Sequence, residues 1–284
     1  MQNSATSFAP NATTSSPVSA AVRCSAAVLL AGLLGACAST TTPTAPPPRV
    51  LVFGEQHDQV DQQRQVAEAV ATLAARGHLR AVVLEMADRG VDTRAVPRGA
   101  DDAAAREALG WQQERGWPWV QYGPVVMAAV RAGVPVWGGN LPRAEMRAAM
   151  TNTSLDAAVT PEIADKLTAA IRDGHCGLLS EDMAPGMRRV QIARDRSMAG
   201  VVRDRLAEGQ GGVVLLTGAQ HASRDRGVPW QLVKPDVVSA TAIRVVLFEP
   251  GSDGLVADER RVAAVTQSPD RCEALKAKMG TPAK

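Results

Sequence analysis

Aromatic rings are scarce in this chain of 284 residues: five Trp, three Phe and one Tyr account for 3% of it. A core built on ring stacking is excluded, and packing falls to Val, Leu, Ala and Met. An excess of one charge is also missing. Thirty-one Lys and Arg against twenty-nine Asp and Glu leave a net charge of +2, which excludes the phosphate neutralisation that nucleic-acid binding demands. Among apolar runs, none reaches the roughly twenty residues of a membrane-spanning helix. What remains, 45% hydrophobic and 21% charged, is an ordinary globular composition, sufficient for one large domain or two small ones.

The N-terminal apolar run, Cys24–Leu34, follows Arg23 and has the length of a signal-peptide core. It ends in Leu34-Gly35-Ala36-Cys37, which resembles the lipobox of bacterial lipoproteins, where cleavage before the Cys leaves its thiol to carry diacylglycerol. Residues 1–36 are therefore expected to be a lipoprotein signal peptide and Cys37 the lipid-bearing residue. Residues 37–48, rich in Thr and Pro, form an extended tether, and 49–284 the folded domain. Ala38, in place of a retention Asp, points to the outer membrane with the domain facing the periplasm. Two cysteines then remain, Cys176 and Cys272. In an oxidising compartment a disulfide between them is the favoured state. The other reading makes Cys176, beside His175, a soft metal or haem ligand.

From residue 49 onward, short apolar runs alternate with helical patterns. Val50–Phe53, Ala81–Leu84, Val134–Trp137, Val213–Leu216 and Ile243–Phe248 predict buried parallel strands. Between the first two, Asp61–Arg76 repeats Val66, Ala69, Val70 and Leu73 at helical spacing and stops at Gly77. A second helix is predicted over Pro124–Ala132. This is an α/β pattern, a mostly parallel sheet flanked by helices. Residues 142–208 show no strand and read as a smaller all-helical subdomain, while the tail holds a strand within Leu255–Val265 and a polar helix.

Ligands on open parallel sheets bind beyond the carboxyl ends of the strands. Those positions here carry Gly54-Glu55-Gln56-His57-Asp58, Glu85-Met86, Gly138-Gly139-Asn140 and Thr217-Gly218-Ala219-Gln220-His221. Two carboxylates, two imidazoles and an amide thus converge on one rim. Together with Leu84-Glu85-Met86-Ala-Asp88-Arg89, Gly116-Trp117-Pro118, Tyr122-Gly-Pro124, Asn140-Leu-Pro142-Arg143, Asp173-Gly-His-Cys-Gly177, Arg194-Asp195-Arg196-Ser-Met198-Ala199 and Arg224-Asp-Arg-Gly-Val-Pro229, these segments resemble the ChaN family of haem-binding bacterial lipoproteins. That family lies within the wider Tiki, TraB and erythromycin esterase-like group. The likeness spans nearly the whole chain past the tether.

The resemblance implies a parallel α/β fold and haem binding in support of iron uptake, with haem held at a homodimer interface through a tyrosinate and an outer-membrane receptor as partner. Tyr122, the only tyrosine, is then the candidate phenolate ligand, with His175 and the Met183–Met187 stretch as substitutes. The esterase branch implies instead a hydrolase dependent on a divalent metal. There Glu55, Glu85 and His221 are the catalytic candidates, and His57, His221 and Glu55 the metal ligands. Arg143 or Arg224 would clamp an oxyanion. Trp111, Trp117 and Trp119 are expected to anchor a loop to the core. Arg188, Arg189, Arg194 and Arg196, alternating with Asp195, read as a solvated helix face, with contact to haem propionates as the lesser alternative.

Overall fold

The computed structural model describes residues 48–111, 116–233, 238–268 and 270–280. The expected signal segment, Cys37 and the tether as far as residue 47 lie outside them. No helix among the described residues is long and apolar enough to cross a membrane.

Six parallel strands make one sheet: β1 (Val50–Glu55), β2 (Leu79–Asp88), β3 (Val136–Asn140), β4 (Gly212–Gly218), β5 (Ile243–Glu249) and β6 (Glu259–Val262). Their order is β3-β2-β4-β1-β5-β6. Strand residues alternate between two cores, as the pleat requires. Phe53, Leu84, Leu216, Val246 and Phe248 pack beneath α1 (Val60–Ala75), α2 (Asp102–Ala108) and α3 (Trp119–Ala132). Val52, Val83, Leu215, Val245 and Leu247 face the opposite layer, with α6 (Ala184–Ala207), α7 (Ala219–Ala222) and α8 (Val228–Val233). Fully burying each such side chain contributes roughly 1.5–3 kcal/mol. Because β1 and β4 are neighbours whose following helices leave to opposite faces, the sheet opens a crevice at their carboxyl ends.

Between β3 and β4 lies the helical subdomain: α4 (Arg143–Thr151), a 3-10 turn (Thr153–Ala158), α5 (Pro161–Gly174) and α6, with a small core of Leu155, Ile163, Leu167 and Ile192. Helix α9 (Arg271–Gly280) closes the described chain, and a disulfide joins Cys272 at its start to Cys176 after α5. Thiolate chemistry at Cys176 is thereby removed.

The strand boundaries depart from the apolar runs in instructive ways. β3 starts at Val136, since Pro135 has no N–H to give the ladder, and it runs on through Gly138 and Gly139 to Asn140. A Cβ at Gly138 would lie 2.0 Å from the Asp88 carbonyl oxygen, so glycine is what lets β3 close on β2. β2 continues to Asp88, so Glu85 stands inside a strand rather than after one. Helix α3 begins at Trp119, ahead of Pro124.

Candidate functional site

The strand pleat decides where the two glutamates point. Glu55 shares its face with Leu51 and Phe53, so its carboxylate turns toward α1 and α3. There it accepts from Gln63 and from the Tyr122 hydroxyl at 3.2 Å, and it holds His57 Nδ1 at 2.6 Å. Glu85 shares the opposite face with Val83 and turns toward α6. Its carboxylate accepts from Arg194 at 2.5 Å, the Thr217 hydroxyl at 2.6 Å and the Gly218 N–H at 2.7 Å. Both glutamates are buried.

The imidazoles bridge the two halves. His57 Nε2 lies 3.9 Å and His221 Nε2 3.6 Å from Glu85 Oε1. His221 Nδ1 is held at 2.6 Å by Asp195, a fully buried carboxylate on α6, with Gln191 at 3.2 Å. Each ring is therefore backed by its own carboxylate and aimed at a third. Glycine makes the approach possible: a Cβ at Gly218 would stand 3.1 Å from His57 Nε2, and one at Gly54 only 2.4 Å from Ala222.

Electrostatics follow from that packing. Burial disfavours charge on Glu85, but His221, Arg194, His57 and the Gly218 N–H outweigh it and hold the carboxyl well below the usual carboxylate range. Burial likewise opposes a charged His57, yet Glu55 and Glu85 override it and push the ring up to about 9. Burial raises Asp195 despite His221. Tyr122 is pushed far above the ordinary phenol range, by burial first and then by the Glu55 charge.

These placements correct several expectations. Arg194 and Asp195 belong to the rim, not to a solvated face: Arg194 also donates to Asn140 at 2.9 Å. Arg188 and Arg189 both grip Asp156 on the 3-10 turn. The oxyanion-clamp candidates lie elsewhere. Arg143 is exposed at the start of α4, and Arg224 pairs with Asp258 and the Ile243 carbonyl. Arg194 is the arginine on the rim. Among the described residues, no group of three or more His, Cys, Asp or Glu is placed to hold a metal ion, so Glu55, His57 and His221 do not form the expected ligand set. The guanidinium of Arg194 already stands on Glu85 where a cation would bind.

Trp111 and Trp117 roof the rim. Trp111 packs on Tyr122 and edge-on against Trp119, donates its N–H to the Trp117 carbonyl, and Trp117 meets His57 edge-on. Tyr122 is fully buried beneath them.

His175 is separate from this network. It caps α5, and its Nδ1 lies 2.7 Å from the Ile171 carbonyl. A carbonyl only accepts, so Nδ1 is the donor, and in the neutral ring the lone pair then lies on Nε2. Leu178 and Met183, both large and exposed, follow in the same α5–α6 connection.

A sheet with all strands parallel, doubly wound, with an acid–imidazole rim at its switch point and a helical insertion, defines the class. Residues 44–232 match the family described as haem-binding uptake, Tiki superfamily, ChaN, and the chain belongs to it. The match covers every rim residue named above. Among solved structures, the chain is similar to ChaN of Campylobacter jejuni, described with haem bound cofacially, at 22% identity and TM-score 0.60 over 72% of this chain and 82% of that one. Fainter likeness extends to an erythromycin esterase in its open conformation, at 15% identity and TM-score 0.40 over 71% and 70%. No curated protein matches.

Proposed function

We propose that this protein is a haem-binding lipoprotein of the bacterial envelope that supports haem or iron uptake, anchored through Cys37 and facing the periplasm. The observation that carries the reading is the family match across residues 44–232. The expected leader and anchor, and pairing of two copies around haem, complete the proposal. Haem would bring a ferric or ferrous centre needing an axial donor and a sheltered apolar face.

The two candidate ligands fit that requirement unequally. Tyr122 does not fit: its hydroxyl is enclosed, bonded to Glu55 and held in the phenol form. A tyrosinate there would stand against a carboxylate. His175 fits, because its Nδ1–H is fixed on a backbone carbonyl and its Nε2 has no partner among the described residues, the arrangement that orients a ligating imidazole. Exposed Leu178 and Met183 supply apolar surface in the connection that follows it.

Haem titration of the full-length chain, followed by the Soret absorbance, tests this. Wild type should bind saturably with a shifted band. His175→Ala should weaken binding by at least about tenfold, the scale of a lost directional ligand, and Tyr122→Phe should bind as wild type does. Loss in Tyr122→Phe with none in His175→Ala would reverse the assignment, and no saturable binding by wild type would end the haem reading.

A second reading rests on the rim alone. His221, backed by Asp195 and aimed at Glu85, and His57, kept charged by Glu55, are the parts of a general base and a general acid for a hydrolase working without a metal. Turnover of a simple aryl ester that Glu85→Gln and His221→Ala both abolish would establish it; turnover indifferent to both would remove it.

A further inference from the structure

The outer row of α6 lines a cleft that the haem reading does not use. Arg196 and Arg203 stand seven residues apart on α6 with a buried alanine between them, opposite Ser154 of the 3-10 turn and Gln231 of α8. The cleft measures about 470 Å³. The Trp230 indole N–H donates to the carbonyl of Ala158, a lining residue, at 3.4 Å and ties α8 to the turn.

The chemistry of this lining is one-sided. Neither Arg196 nor Arg203 has a hydrogen-bond or ion-pair partner among the described residues, whereas Arg188, Arg189, Arg194 and Arg205 on the same helix are all paired. Asp156, on the same turn, is committed to Arg188 and Arg189, and among the described residues no acidic side chain lines the cleft. Gln231 is only 8% exposed, and its amide nitrogen is buried with no acceptor. An orphaned buried donor of this kind is destabilising unless something accepts from it. The Ser154 hydroxyl, by contrast, already donates to Asn152.

We infer that this cleft binds a small organic or inorganic oxyanion, a carboxylate- or phosphate-bearing molecule clamped by Arg196 and Arg203 and received by the Gln231 amide. Guanidinium forks match both groups in bidentate geometry. Seven residues of helix separate the two arginines by about 10 Å along the axis, which suits a ligand with more than one anionic group. Among the described residues no Tyr, His, Cys or Met lines the cleft, so these offer no axial ligand to haem iron. The site stands independently of the haem reading.

Calorimetric titration of the full-length chain with inorganic phosphate and, separately, with citrate tests the assignment in about 0.15 M chloride, where long-range attraction is screened. Wild type should bind at least one probe at one equivalent. Preference for phosphate would identify a phosphorylated ligand and preference for citrate a polycarboxylate. Arg196→Gln combined with Arg203→Gln should weaken binding about tenfold or more, and Gln231→Leu by a smaller factor. Both arginines are unpaired, so the double variant should melt as wild type does; if it does not fold, Arg203→Gln alone carries the same test. Haem titration of the double variant should be unchanged. Absence of binding by both probes, equal affinity in the variants, or loss of haem binding along with anion binding would overturn the inference.

Discussion

The rim at the β1/β4 crevice and the helical subdomain use the same residue types to opposite ends. On the rim, Glu55, His57, Glu85, Arg194, Asp195 and His221 pair with one another at 2.5–3.9 Å, largely out of water, although the buried Asp195 Oδ2 has no hydrogen-bond partner among the described residues. In the subdomain, among the described residues, His175 Nε2 has no partner, and Arg196, Arg203 and Gln231 keep donors without acceptors. A concentration of charge is therefore not the same as a capacity to bind. Ligand capacity follows unused hydrogen-bonding valence, and most of it here lies outside the strand-end crevice.

The comparison breaks most severely if the subdomain loses its staple. The Cys176–Cys272 bridge spans 96 residues, for which loop-closure entropy gives roughly 4–5 kcal/mol less any native-state strain. Cys176→Ser/Cys272→Ser should lower stability toward that figure in denaturant titration. It should also loosen the α5–α6 connection that holds His175, read as faster amide exchange there than on the rim. Equal exchange in both regions would show that the bridge does not set the subdomain's rigidity.

On the rim the largest single effect belongs to Glu85. Glu85→Leu strands Arg194 and leaves two imidazoles facing an apolar group, and removing one partner from a buried charged set costs about 3–5 kcal/mol. Chemical denaturation measures it. A loss below about 1 kcal/mol, the level of an exposed ion pair, would mean that water enters the crevice freely and that the rim is not the closed network described.

How much of this was legible in the sequence depends on whether neighbours along the chain or across it decide the outcome. Strands β1, β4 and β5 could be read from their apolar runs, and the strand-end polar residues were placed together because parallel topology puts them there. The end of β3 was not legible, since Gly138 and Gly139 carry no strand propensity and are needed only because β2 comes so close. Arg194 and Asp195 were misplaced by their charge. The signal that finds them is helical phase: Asp195 precedes buried Met198 and Val202 by three and seven residues, so it must face the sheet. Gln63 was passed over as an ordinary polar residue, though it lies in phase with Val66 and Val70.

A gentler perturbation is pH. His57 has its pKa raised from 6.5 to about 9 in the folded protein, so its pairing stabilises the fold fully below pH 6.5 and is lost as pH rises through about 9. Its side chain keeps 39% exposure, so solvent screening moderates the effect. The melting temperature should fall between pH 6.5 and 9, and His57→Gln should flatten that slope. An unchanged slope in the variant would assign the titration elsewhere.

The smallest expected effect on stability is the most informative about binding. His175 is half-buried, and its one side-chain bond is to the carbonyl of its own helix, so His175→Ala should cost no more than about 0.5 kcal/mol. Glu85→Leu should show the converse, a large stability loss with the donors of the subdomain intact. If His175→Ala abolishes haem binding while melting like wild type, free valence rather than charge density locates the ligand. If Glu85→Leu abolishes it under conditions where the variant remains folded, the crevice and the subdomain act as one site, and the division drawn between them fails.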